Sequence, residues 1–245
     1  MNPRIPLTKA IASRGFCSRQ AANRLISAGQ VLVNGEPARL QQRVAVDDEI
    51  QINGQSLAPA PAWQYWLYHK PVGIDCNNRA TDPASIAHVL SQLPVRAFAV
   101  GRLDKDSRGL LLLTNDGELA QRLLHPRYQH HKRYRVRVQQ AITDANALIK
   151  AFADGITWQV GPHQYQANPC LVKVLTAHSL EICLSEGQHR QIRYMCRALG
   201  FKVVDLCRIA IGDLPLGDLE EGRYRPLTTI ELAQLRALQT PEPTT

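Results

Sequence analysis

Gly101-Arg102-Leu103-Asp104-Lys105-Asp106-Ser107-Arg108-Gly109-Leu110-Leu111-Leu112-Leu113-Thr114-Asn115-Asp116-Gly117 is the stretch that decides how this chain is read. Leu110–Leu113 is short and uncharged, and it is bounded by Gly109 and Asn115, the pattern of a strand buried in a core. Just before it, a turn opened by glycine sets Arg102 and Asp104 on either side of one leucine. An acid carried on a loop against a rigid strand is a common arrangement for a catalytic group. Taken alone, Arg-Leu-Asp serves equally well as a structural salt bridge or a turn cap.

The rest of the chain sets the bounds. A length of 245 residues suits one large domain or two unequal ones, and 44% hydrophobic with 20% charged residues is ordinary for a globular protein. The formal charge of +8 favours a polyanionic partner, nucleic acid or membrane surface. No apolar run approaches the length that crosses a bilayer, and Met1–Lys9 lacks the apolar centre of a signal peptide. Cys17, Cys76, Cys170, Cys183, Cys196 and Cys207 are scattered, with no Cys-x-x-Cys pair. That spacing argues against zinc and needs no disulfide framework, so reduced thiols in a cytoplasm are expected.

The first 35 residues hold Arg4, Lys9, Arg14, Arg19 and Arg24 and no acid. Leu7–Ser13 reads as a helix ending near Gly15. Ser18 is placed to cap a second helix running to Ala28, with Gly29 as its stop. Ala21, Ala22, Leu25 and Ile26 form its apolar stripe, which leaves Arg19, Asn23 and Arg24 for solvent or a ligand. Val31–Val33 with Asn34-Gly35 predicts a strand and tight turn. Val44, Val46, Ile50 and Ile52 predict further short strands, and Pro59-Ala60-Pro61 a stiff linker.

Beyond Trp63, strands alternate with helices. Tyr65–Tyr68 predicts a strand entering the turn Lys70-Pro71-Val72-Gly73. Helices are expected over Ile86–Leu93, Glu118–Leu124 and Gln188–Leu199, and strands over Leu171–Leu175 and Leu180–Leu184. Residues 132–138 alternate, with Tyr134, Val136 and Val138 on one face and Arg133, Arg135 and Arg137 on the other. The arginine face suits either phosphate contact or plain solvation. The irregular alternation favours an α+β fold with an antiparallel-rich sheet over a doubly wound one. The expected division is a small basic module at 1–58, a linker at 59–64, a larger domain at 65–236 and a disordered tail at 237–245.

Residues 101–117 resemble the central motif of the RsuA-type pseudouridine synthases, and the likeness extends along nearly the whole chain. Lys70-Pro71-Val72-Gly73 looks like the turn that opens their catalytic domain, and Lys132-Arg133-Tyr134 looks like their Lys-x-Tyr motif. Leu184 to Arg193 (Leu-Ser-Glu-Gly-Gln-His-Arg-Gln-Ile-Arg) is similar to their third motif. Leu7 to Ile52, with Gly15-Phe16-Cys17-Ser18-Arg19, resembles the alpha-L RNA-binding module of ribosomal protein S-four. The resemblance implies Asp104 as nucleophile, Tyr134 as stacking and proton-transfer group, and Arg193 as the cation paired with the catalytic carboxylate. It also implies substrate-binding roles for Arg102, Lys132, Leu184, Arg19 and Arg24. Arg102 would fill the space left by a flipped base, its alternative being a structural partner for Asp104 or Asp106.

The implied reaction breaks the C1′–N1 bond of a uridine and joins C1′ to C5. It is an isomerisation, so neither a cofactor nor a metal is called for. The implied partner is a structured ribosomal RNA, leaning to the RluF-like, large-subunit branch. Small-subunit RNA, transfer RNA, or a noncatalytic role in ribosome assembly are the alternatives. A monomer in the cytoplasm, away from membranes, is expected. Asp106 could form a cation-binding Asp-x-Asp pair with Asp104, but Ser107 and the leucine run match the synthase motif better. Asp116 reads as a turn and helix cap, and His130-His131 as facing RNA or solvent.

Overall fold

A computed structural model of the chain describes residues 4–125 and 130–237. These divide into two compact units. One comprises the chain up to Gln64 together with Val89–Phe98 and Thr114–Gly117, and the other comprises the remainder. Of the expected tail at 237–245, Ala237 is the last helical residue before the rest, 238–245, which lies outside the described residues.

In the first unit, β1 (Ile5–Pro6) leads into α1 (Leu7–Ser13) and α2 (Arg19–Ser27). Short strands follow: β2 (Val31–Val33), β3 (Glu36–Pro37), β4 (Arg43–Val44), β5 (Ile50–Ile52) and β6 (Gln55–Ser56). The Ser18 side chain accepts from Ala21 N at 3.1 Å and caps α2 as its sequence predicts. Ala22 and Ile26 of α2 join Leu7, Ile11, Val31 and Ile50 in one core. Asn34 and Gly35 both take positive φ, the backbone a two-residue hairpin turn needs between β2 and β3.

The second part runs β7 (Tyr65–Lys70), α3 (Ala87–Leu90), β8 (Phe98–Val100), β9 (Arg108–Thr114), α4 (Gly117–Leu124) and β10 (Lys132–Val138). It continues with α5 (Ala145–Asp154), β11 (Thr157–Val160), β12 (His163–Gln166), β13 (Leu171–Thr176), β14 (Ser179–Leu184) and α6 (Gln191–Ala198). It closes with β15 (Val203–Ile211), β16 (Leu214–Pro215), β17 (Tyr224–Pro226) and α7 (Thr229–Ala237). The main sheet has the order β13-β14-β10-β15-β9-β7-β17, with β16 on β15 and β8 on β9. Its α+β character is as expected, and Leu110–Leu113 are each fully buried in β9. Among the described residues no helix is long and apolar enough to cross a membrane.

Two expected helices are shorter than the pattern suggests. The one near Leu90 is a single turn, because tight i to i+3 bonds such as Gln92 N to Val89 O replace helical ones. The other begins at Gln191 rather than Gln188, because Arg190 has left-handed backbone (φ 53°, ψ 26°) and cannot extend it N-terminally.

The joint between β9 and β15 is parallel and pairs Gly109 with Arg208. Gly109 has φ +112°, and a Cβ there would stand 2.4 Å from Arg208 O and 2.5 Å from Arg208 N. Only glycine permits this approach of the backbones. Gly109→Ala is therefore expected to cost about 2 kcal/mol or more in a urea titration. Gly217→Ala, at φ +61° with nothing within 4 Å of the added carbon, should cost about 1–2 kcal/mol.

Candidate active site

One face of the main sheet floors a cleft of about 790 Å³, lined by Arg102, Asp104, Lys132, Tyr134 and Leu184 among others. Register explains the grouping. Lys132 lies opposite Leu184 on one side and Ile211 on the other, and Tyr134 lies opposite Arg208. Cross-strand partners share a face, so these side chains line up on one side of the sheet. A register shift between Arg133 and Tyr134 makes Ile209 the extra residue on β15. This bulge lets both Ile211 and Arg208 face the cleft, which strict alternation would forbid.

Asp104 is half-buried at the base of the loop that precedes β9. The loop is held by backbone and thiol contacts. Ser107 N donates to Asp104 O at 3.0 Å, Gly73 N to Lys105 O at 2.7 Å, and Leu103 N to Cys76 Sγ at 3.4 Å. Lys70 is 0% exposed, and its ammonium donates to the carbonyls of Pro71 (2.8 Å) and Ile74 (2.7 Å). Burial pulls Lys70 below the usual lysine range, while the charges of Cys76, Asp104, Asp106 and Asp75 favour its charged form. A buried ammonium so placed sets a positive potential at the foot of the Asp104 loop.

Arg193 was expected to pair with Asp104, and here the structure differs. Its Nε stands 3.3 Å from Asp106 Oδ2, and its Nη2 donates to Asp106 O at 2.7 Å. Arg190, one turn earlier, grips the same carboxylate through both oxygens at 3.0 and 2.7 Å. The reason is spacing, since residues three apart at the start of α6 share a side of it. That side meets the second acid of the loop. Asp106 is thereby an ion-paired anchor, and its oxygens are committed to guanidinium. Arg190, rather than Arg193, lines the cleft. Glu186 ties the motif together, accepting from Asn168 N at 2.9 Å and from Gln191 Nε2.

The other sequence candidates fall in separate places. Arg19 and Arg24 are exposed on α2 of the first unit. Arg133, Arg135 and Arg137 are exposed on the sheet face opposite the cleft, with Arg135 bound to Glu181 at 3.1 Å. His131 is exposed, whereas His130 is buried and lines the cleft, so of the two expected settings, RNA or solvent, plain solvation does not hold for His130. Asp116 directly precedes α4 and is buried. Among the described residues, no group of three or more His, Cys, Asp or Glu could hold a metal ion. Lys70, Arg190 and Arg208 are site residues the sequence did not single out. Lys70 lay in a quoted turn and Arg190 in a quoted motif, whereas Arg208 carried no local signal.

Burial pushes the Asp106 carboxyl up, but the Arg190 hydrogen bonds and the charges of Arg193 and Arg190 outweigh it and hold the group below its ordinary range. A carboxyl depressed in the folded state stabilises above its unfolded pKa, and that contribution disappears as pH falls through the folded value. Asp106→Asn should therefore lower the thermal midpoint at pH 7. The two midpoints should converge as pH falls below the ordinary carboxylate range and through the depressed folded value.

Comparison with known proteins follows the same lines as the geometry. Residues 64–198 match the family model described as RNA pseudouridylate synthase, and residues 5–50 match the S4 domain. The dual-specificity RNA pseudouridine synthase RluF of Escherichia coli K12 is 35% identical over 233 residues, covering 94% of this chain and 78% of that one. Ribosomal large subunit pseudouridine synthase B of Bacillus subtilis is 34% identical, covering 95% of this chain and 96% of that one. Ribosomal small subunit pseudouridine synthase A of Yersinia pestis is 30% identical, covering 94% and 98%. A crystal structure of pseudouridylate synthase superposes with a TM-score of 0.68 at 32% identity, covering 94% of this chain and 99% of that one.

Proposed function

The chain belongs to the RNA pseudouridine synthase family, with an N-terminal S4 domain, and from that premise we propose that it isomerises a uridine of large-subunit ribosomal RNA with Asp104 as nucleophile. The observation that carries the reading is the placement of Asp104 in one cleft with Tyr134, Leu184 and Lys132. The lean to the large subunit rests on the higher identity to the Bacillus relative named for it than to the Yersinia one named for the small subunit.

A uridine must leave its stack to reach a carboxylate on the floor of a cleft, at a cost of a few kcal/mol. Stacking on the half-buried Tyr134 ring returns about 1–3 kcal/mol of this, and Leu184 covers another part of the base. Arg102, exposed at the cleft, is placed to enter the space the base leaves. Asp104 attacks through a carboxylate oxygen, and the positive charges of Lys70 and Arg190 lie close enough to interact with it. In this reading residues 65–236 form the catalytic part, and the module at 1–58 holds RNA through the exposed Arg19 and Arg24.

Mapping pseudouridine in ribosomal and transfer RNA from cells with and without the gene identifies the target; loss of a large-subunit site is expected. Purified Asp104→Asn should lose at least about 10³-fold in single-turnover rate on that RNA while binding it normally. A fully active variant would remove the aspartate chemistry.

Arg19→Ala and Arg24→Ala should each weaken RNA binding, by filter retention, without changing the site modified. Each should also flatten the plot of log affinity against log salt by about 0.7–0.9 if its arginine meets a phosphate. An unchanged slope would assign α2 to a face that RNA does not touch.

A further inference from the structure

Arg208 is 4% exposed, and its charge meets no carboxylate of its own among the described residues. Asp205 is bound by Arg108 at 2.9 Å and Asp106 by Arg190 and Arg193, while Asp104, in the same cleft, makes no ion pair with Arg208 among the described residues. Its Nε donates to Leu110 O at 2.8 Å, which fixes the guanidinium plane. Its Nη2 is buried and has no hydrogen-bond partner among the described residues. A neighbouring cation is Lys132, whose ammonium is held below its usual range by burial and then by the charge of Arg208. A buried guanidinium with an unused donor beside a half-buried ammonium is unfavourable in isolation. The arrangement is favourable when a ligand brings negative charge to them. Arg208 also neighbours Tyr134 across the strand pair, and so lies at the edge of any base stacked on that ring.

We propose that Arg208 is a further catalytic residue, its Nη2 donating to a carbonyl oxygen of the uracil ring and stabilising the negative charge that ring acquires. This rests on the pseudouridine synthase reading given above. When a carboxylate oxygen of Asp104 bonds C1′, the electron pair of the C1′–N1 bond passes to the ring, which becomes an anion over N1, O2 and O4. After the ring turns, C5 donates a pair to C1′, and the bond from C1′ to Asp104 breaks with its pair returning to the carboxylate. The C5 proton passes to water, and N1 takes a proton from water. Attack of Asp104 on ring carbon C6 instead would load O4 in the same way. Both routes therefore place charge on a carbonyl oxygen, where a preorganised donor acts most strongly.

The test uses the full-length protein and a synthetic stem-loop carrying the mapped uridine, with uridine, 2-thiouridine or 4-thiouridine at the target. Arg208→Gln should lose about 10²-fold in single-turnover rate, with RNA affinity within about threefold of the parent. Sulfur accepts hydrogen bonds weakly, so one of the two thio replacements should change the rate differently in parent and variant. The thio-to-oxo rate ratio is expected to be at least about fivefold lower in the parent than in Arg208→Gln. Should Arg208→Gln not fold, Arg208→Lys carries the same comparison with the charge kept. Thio ratios equal in parent and variant, or a variant as fast as the parent, overturn the proposal and leave the enzyme's activity intact. A parent protein that forms no pseudouridine in any RNA overturns the parent reading and this one together.

Discussion

The contact of Gly109 with the backbone of Arg208 is the constraint on which the rest of this site depends. It fastens the strand after the Asp104 loop to the strand bearing the cleft's deepest cation, with no side chain between them. Parallel pairs bond less favourably per residue than antiparallel ones, and this one is only two residues long. The four leucines that follow Gly109 bury the strand completely and keep it in register. The acid loop thus leads directly into a fully buried strand, which fixes where Asp104 starts from. A one-residue slip would turn every side chain of β9 over and carry the loop away from Tyr134.

In the proposed reaction the two acids of the loop divide the work that one could not do. A carboxylate locked between two guanidinium groups is anchored but poorly free to attack, since each bond it makes must be broken first. Asp106 takes that position and leaves Asp104 free of an ion pair among the described residues, with cations near but not in contact. The left-handed backbone of Arg190 is part of the same arrangement. A non-glycine residue in that conformation is strained, and here the strain is offset by two charge-assisted bonds to Asp106.

Much of this was legible in the sequence, and what was not has identifiable physical causes. The leucine run, the Ser18 cap, the Asn34-Gly35 turn and the 132–138 alternation are local signals, and each predicted its element. The pairing of Arg193 was misread because a motif names a residue and not its direction. Which acid a guanidinium on α6 meets depends on where Arg190 ends the preceding loop. Arg208 was invisible for a different reason. Val203–Ile211 contains Asp205 and Arg208 within apolar residues, and simple alternation would set Arg208 and Ile211 on opposite faces. The bulge at Ile209 reverses that parity, and a bulge is a property of two strands together. Helix α5 was likewise passed over, although Asp144 caps it and Leu148 and Phe152 supply its buried stripe.

The basic charge is a last case where place matters more than count. An excess of +8 says nothing of where it is usable. On the outer face of the main sheet, Arg108 is bound by Asp205 and approached by Glu221, and Arg135 is bound by Glu181. A polyanion would have to displace carboxylates at those two arginines before gaining a contact, although Arg133 and Arg137 stand exposed on the same face. The first 35 residues contain no acid, and Arg19 and Arg24 stand exposed on one short helix. Counterion release is gained in full only from such uncompensated cations. On the proposed reading α2 therefore supplies an electrostatic grip on RNA, while Arg208, buried in the cleft, acts on the base rather than on the backbone.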